Sequence, residues 1–168
     1  MKIIGLILVF SAFAYSGEFV AQRYKQRCDA LCAICKMLTK TVLMLRSQSS
    51  PVEDILSRIC EDESIRTLDF IPLVYKDMQG GADFRGIWHE RLSKWRRRGL
   101  LPEDYSLLED YGRDLGAYDL SGQLDCFTAQ LDAVRAEIAA ARRDKLVKGR
   151  MCRSLGIIGG MAAVLLML

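Results

Sequence analysis

Residues 3–17 and 154–168, each 15 long, contain no Asp, Glu, Lys or Arg, and they stand at the two ends of a 168-residue chain. Runs of this kind must be hidden from water, in a core or in lipid. A helix crossing a bilayer needs roughly 20 apolar residues, so neither run is long enough by itself. The first continues past Glu18 through Phe19, Val20 and Ala21, and the second is preceded by Arg150 and Arg153, whose long side chains can reach back to an interface. Arg23, Lys25 and Arg27 follow the first run; Lys145, Lys148, Arg150 and Arg153 precede the second. The positive-inside tendency then places the intervening residues in the cytoplasm and both ends across the lipid bilayer. The expected organisation is an N-terminal transmembrane helix at 1–22, a cytoplasmic helical bundle at 23–153 and a C-terminal transmembrane segment at 154–168. A rival for the first segment is a cleaved signal peptide, with Lys2 as its basic start, Ile3 to Phe10 as its apolar stretch and Ala12-Phe13-Ala14 as its cleavage pattern. Small residues favour a packed membrane helix: Gly5, Ala12 and Ser16 fall near one helical face, and Gly156 and Gly160 form a G-x-x-x-G pair followed by Ala163.

Between the ends the composition is that of one ordinary domain. A formal net charge of +3 is too mild to argue for a nucleic-acid partner. Six cysteines would suit a disulfide-bonded exported domain, but Cys28, Cys32 and Cys35 crowd one helical segment where pairing with each other would strain the geometry. Their C-x-x-x-C-x-x-C spacing also matches that of thiolates holding a [4Fe-4S] cluster in radical S-adenosylmethionine enzymes. Those enzymes place it on a loop after a strand, with an aromatic residue where Ile34 stands here. Small buried hydrophobes explain these cysteines better, and no cofactor is expected.

Tyr24, Cys28, Leu31, Cys35, Leu38, Val42 and Leu45 alternate at intervals of four and three, a heptad seam that ends at the Ser-rich stretch before Pro51. Ser50 can cap a second helix, with Pro51 in its first position and Val52, Ile55, Leu56 and Ile59 on its inner face. Glu61 to Ser64 predicts a turn, and Ile65 to Met78 a helix despite Pro72, closed by Gly80-Gly81. Asp83 caps a fourth helix carrying Phe84, Ile87, Trp88, Leu92 and Trp95, with Arg96, Arg97 and Arg98 matching the dipole of its last turn and Gly99 ending it. Pro102 opens a fifth, lined by Tyr105, Leu108, Gly112 and Leu115 and stopped by Gly116. Leu120, Leu124, Phe127, Leu131, Val134, Ile138 and Ala141 make a second heptad seam leading back into the C-terminal run. No alternating stretch is long enough for a strand. The predicted fold is all-α: an antiparallel bundle of about six helices flanked by N- and C-terminal transmembrane helices.

A search for reactive constellations returns little. His89 is the only histidine and sits in an amphipathic helix. Most of the carboxylates, among them Asp104, Glu109, Asp110, Asp114 and Asp119, are expected on outward faces. There is no phosphate-cradling loop, nucleophile elbow or paired C-x-x-C unit. Cys32 and Cys35 could make a redox pair only in a β-α-β setting that is missing here. Function is therefore sought on surfaces, and the chain is not expected to be an enzyme. The partner-binding candidates are Trp95, Arg96, Arg97 and Arg98, together with Leu115, Gly116, Asp119 and Gln123 in the turn between Gly112 and Gln123. Gly156 and Gly160 are the membrane-packing candidates.

Three segments carry a resemblance: LRSQSSPVEDIL at 45–56, GRDLGAYDLSGQ at 112–123 and RSLGIIGG at 153–160. Over nearly its whole length the chain resembles the stage III sporulation protein AB family of endospore-forming bacteria. That family is itself similar to the helical cytoplasmic domains of the F protein of type II secretion and type IV pilus machines. The resemblance implies a non-enzymatic platform in the channel between mother cell and forespore, seated in the mother-cell-derived outer forespore membrane. It also implies partners: an ATPase like stage III sporulation protein AA, and other membrane components of the channel. Val52 stands where the family has Leu, and Cys28, Cys32 and Cys35 replace aliphatic or polar residues. The reading from the residues alone keeps a second option, a small membrane-anchored redox or iron-sulfur protein using those three cysteines.

Overall fold

The computed structural model describes residues 2–48, 51–97 and 99–167. They form six α-helices and one short 3-10 helix, with no strand among the described residues: α1 (Lys2–Gln48), α2 (Val52–Cys60), the 3-10 turn Glu63–Ile65, α3 (Ile71–Gln79), α4 (Phe84–Lys94), α5 (Pro102–Asp114) and α6 (Leu120–Met167). The chain divides into two compact units, one made of residues 1–28 and 139–168 and the other of Asp29–Ile138. The chain passes between them inside α1 and inside α6.

In the 29–138 unit the core draws on every helix. Leu31, Ile34, Met37 and Leu38 of α1 are buried together with Ile55, Leu56 and Ile59 of α2, Ile71 and Val74 of α3, Trp88 and Leu92 of α4, Leu108 and Tyr111 of α5, and Phe127 and Val134 of α6. The expected seam on α1 is present but too narrow. Ala30, Ala33, Ile34, Met37 and Thr41 are buried beside it, while Cys35 is half-buried at its margin. A helix packed on more than one side hides a wider arc than a two-stranded seam requires. An aromatic path threads this core: Trp95 to Phe70 (centroids 5.0 Å), Phe70 to Trp88 (5.1 Å), Trp88 to Tyr111 (5.1 Å) and Tyr111 to Phe127 (5.4 Å). The buried Tyr111 hydroxyl meets the Thr41 hydroxyl at 2.9 Å, so the polar end of the ring has a partner. Burial pushes its ionisation well above the ordinary tyrosine range.

Three local expectations are corrected. Ile65 to Met78 is not one helix: residues 63–65 make a 3-10 turn, and α3 begins only at Ile71, with Pro72 in its first turn. There the missing N–H of proline has no intrahelical partner to lose. Leu68 and Phe70 are both buried, a spacing of two that one helical face cannot supply. Pro51 is the cap of α2, its carbonyl accepting from the Asp54 and Ile55 N–H groups at 3.1 and 3.2 Å; Ser50 lies outside the described residues. Finally, α4 stops at Lys94, so Trp95, Arg96 and Arg97 lie beyond its last turn.

Asp62 holds the 3-10 turn. Its carboxylate accepts from the Ser64 hydroxyl (2.7 Å) and backbone N–H (2.9 Å), and from Lys40 of α1 (3.1 Å). These bonds, Ser64 first, lower its pKa to about 2. A carboxylate with a depressed folded pKa stabilises the fold above the unfolded value and loses that contribution as pH falls through the folded one. Asp62→Ala should therefore cost about 1 kcal/mol at neutral pH. In urea titrations the gap from wild type should narrow between about pH 4 and pH 2.

In the other unit the two chain ends run antiparallel in a constant register. A β-carbon at Gly17 would stand 2.6 Å from the Cys152 carbonyl oxygen, one at Gly156 would stand 2.8 Å from the Phe13 carbonyl oxygen, and one at Gly160 would stand 2.9 Å from the Phe10 ring. The backbones touch because these side chains are absent. Glu18 and Arg153 close a two-bonded ion pair at 2.6 and 2.8 Å beside this contact. Gly5, Ala12 and Ser16 are exposed, so the expected face of small residues is displaced: within residues 1–28 the buried glycine and alanine of α1 are Gly17 and Ala21. Among the described residues one helix, α6, is long and apolar enough to cross a membrane, which weakly suggests membrane association. The N-terminal counterpart is carried by the sequence alone.

Candidate partner-binding surfaces

The cluster at residues 95–97 is mostly committed to its own unit. The Trp95 indole N–H donates to Asp69 Oδ1 at 2.6 Å, and its ring lies 6.0 Å from that of Tyr105. Arg97 donates through Nη1 to the Thr67 carbonyl at 2.6 Å, with Asp69 Oδ1 at 3.9 Å. Its backbone N–H donates to the Tyr105 hydroxyl at 2.9 Å. These bonds tie the irregular 66–70 segment to the start of α5. Arg96 differs: it is exposed, and its guanidinium lies over the Tyr105 ring at 5.3 Å. Arg98 lies outside the described residues. Arg96, Arg97, Leu100, Pro102, Tyr105, Ser106 and Glu109 line an open groove. Tyr105 and Asp69 were not among the expected surface residues, and only Tyr105 carried a signal, its closeness in sequence to the arginines.

The 112–123 turn is built the other way, with most of its distinctive residues spent on shaping the chain. Gly112 is buried against the Trp88 indole, where any β-carbon would overlap the ring. The same bare backbone lets Trp88 Nε1 donate to the Leu108 carbonyl at 2.8 Å. Leu115 is 1% exposed and so faces the core, not a partner. Gly116 adopts φ +74°, the left-handed region that favours glycine. Asp119 accepts from the Gly122 N–H (3.2 Å) and the Ser121 hydroxyl (2.7 Å), capping α6, and these bonds, Ser121 first, lower its pKa. Gln123 bridges the turn, accepting from the Gly116 N–H at 3.2 Å and donating to the Tyr118 carbonyl at 2.7 Å. Gln123→Ala should therefore lower stability by about 1 kcal/mol, a shift in melting temperature of about 2–4 °C. An unchanged melting curve would return Gln123 to the list of free surface groups.

Two carboxylates expected outside are inside. Asp104 is fully buried and accepts from the Leu101 N–H at 2.8 Å; Asp114 is 5% exposed and accepts from Gln130 Nε2 at 2.8 Å and Arg113 Nε at 3.2 Å. His89 is exposed. All six cysteines are free thiols: Cys28 is buried and the others are half-buried. Among the described residues no three His, Cys, Asp or Glu side chains stand together in a way that could hold a metal ion.

The chain matches the family described as Stage III sporulation protein AB over residues 2–168. Stage III sporulation protein AB of Bacillus subtilis (strain 168) is 21% identical over 170 residues, covering 100% of this chain and 99% of that protein. No solved structure matches. A match that takes in both apolar ends, the helical unit between them and the Gly112–Gln123 turn leaves one conclusion: the chain belongs to the stage III sporulation protein AB family.

Proposed function

We propose that this protein is a non-enzymatic platform of the channel built between mother cell and forespore. In this reading it sits in the mother-cell-derived outer forespore membrane with its 29–138 unit in the cytoplasm. There it couples an ATPase like stage III sporulation protein AA to other membrane components. The observation that carries the reading is the family match over residues 2–168, which supports a role in sporulation. Two physical features agree with it. The 29–138 unit spends its distinctive polar residues on turns and caps, and the chain ends pack through bare glycine backbone, as helices do where lipid supplies no hydrophobic drive for association. Likeness of fold to a secretion F protein would be analogy only, so the partner has to be tested directly.

The test is co-purification of the detergent-solubilised full-length chain with the ATPase. Wild type and a Cys28, Cys32 and Cys35→Ala variant should recover it equally. Absence of the ATPase from both, or iron bound by wild type alone, would overturn the platform.

A further inference from the structure

Within the platform reading, the groove beside Tyr105 is the place where a protein partner can be held, and among the described residues of the 95–97 cluster Arg96 is left to hold it. Trp95 and Arg97 are spent on Asp69, Thr67 and Tyr105. Among the described residues Arg96 meets the Tyr105 ring face, at 5.3 Å. Arg96 is exposed, and a guanidinium lying over a ring face keeps N–H donors with which arginine pairs a carboxylate through two bonds. Because Tyr105 is held in turn by both the N–H (2.9 Å) and the carbonyl (3.4 Å) of Arg97, the platform under Arg96 is fixed before anything binds.

The rest of the lining selects the kind of anion. Leu100, Pro102 and the Tyr105 ring give apolar walls, and Ser106 and Glu109 lie in the same groove. A phosphate or polyanion would meet the Glu109 carboxylate as well as the Arg96 cation, and with the Asp69 carboxylate 3.9 Å from Arg97 Nη1 offsetting that second cation the groove offers it little net attraction. A peptide segment suits it better: one carboxylate for Arg96, an aliphatic side chain for the apolar walls, and a backbone or side-chain N–H for Glu109. Tyr, Trp and Arg converging on one spot is also the composition that dominates binding energy at protein interfaces. We infer that the Arg96–Tyr105 groove docks an extended, acidic-aliphatic segment of the platform's protein partner, through a carboxylate paired to Arg96.

The test uses the full-length protein in detergent with the stage III sporulation protein AA-like ATPase. Arg96→Glu should lower its recovery at least about tenfold, and Arg96→Lys by less, since it keeps the charge and loses the fork. Arg85→Glu, the same reversal at an exposed position on α4, should leave recovery unchanged. Far-UV circular dichroism should show Arg96→Glu folded, because the side chain is exposed and rests on the Tyr105 ring face. Equal recovery by wild type and Arg96→Glu overturns the groove and leaves the platform standing; no recovery by wild type overturns both. Loss of binding to phosphatidylglycerol vesicles with ATPase recovery retained would also overturn it, in favour of a lipid headgroup.

Discussion

Gly112→Ala should lower the melting temperature of the protein by about 10 °C, corresponding to a loss of about 3 kcal/mol in a chain of this size. Helix propensity argues the opposite direction, since alanine within a helix is favoured over glycine by up to about 1 kcal/mol. Packing decides the sign. The new methyl group would occupy the volume of the Trp88 indole, a rigid bicyclic ring pinned between Phe70 and Tyr111, and no flexible chain end is available to yield. Displacing the ring also breaks the Trp88 Nε1 bond to the Leu108 carbonyl, worth about 1 kcal/mol while its partner stays buried. Trp88→Phe provides the control. In that background the smaller ring leaves room, so the two substitutions together should cost clearly less than the sum of their separate effects. Additive costs in thermal or urea unfolding would mean that Gly112 and Trp88 do not share one site.

A disulfide engineered as Ala21→Cys with Gly149→Cys should close quantitatively on mild oxidation, once Cys28 and Cys152 are replaced by alanine to remove competing thiols. A β-carbon at Gly149 stands 4.0 Å from that of Ala21, inside the window that disulfides occupy. The bond would close most of the chain into a loop, which in the chain-entropy description stabilises by on the order of 4–5 kcal/mol. Intramolecular closure is read as two proteolytic fragments that stay joined until reduced. Gly156→Leu in the same protein should prevent it. Its branched side chain would be driven into the Phe13 carbonyl and the Gly17 backbone, and the helices must part by more than a disulfide can span. Intermolecular dimers in place of the internal bond would show that the glycine contact joins two chains instead of two ends of one.

The heptad spacings reported the helices well because burial repeats with the backbone: Phe127, Leu131, Val134 and Ala141 are buried as the spacing demands, though Leu120 is exposed. Capping chemistry was equally legible at Asp83, whose carboxylate accepts from the Gly86 N–H at 3.1 Å. Failures came where one residue type serves two purposes. Pro72 reads as a flaw inside a helix or as the opening of one, and only the burial of both Leu68 and Phe70 distinguishes them. Asp104 and Asp114 look like solvated charges until the backbone N–H and the Gln130 amide that they accept from are known. Gly17 is the clearest loss. It sits among residues that any membrane helix contains, and its value comes from the Cys152 backbone across from it, far away in sequence. The interaction candidates divided for the same reason. Local sequence shows that tryptophan and arginine cluster, but which of them finds an internal partner depends on Thr67 and Asp69, about thirty residues earlier.

The aromatic path has an optical consequence. Both tryptophans belong to the 29–138 unit, and they sit in opposite surroundings: Trp88 enclosed by Phe70, Phe84 and Tyr111, Trp95 half-buried with its N–H on a carboxylate. Residues 1–28 and 139–168 contain none. Light absorbed near 295 nm is therefore emitted from one unit alone, with a blue component from Trp88 and a redder one from Trp95. Detergent or lipid rearranging the chain ends is invisible in that signal, whereas an event at the Arg96 groove reaches the redder component through Tyr105, 6.0 Å from the Trp95 ring.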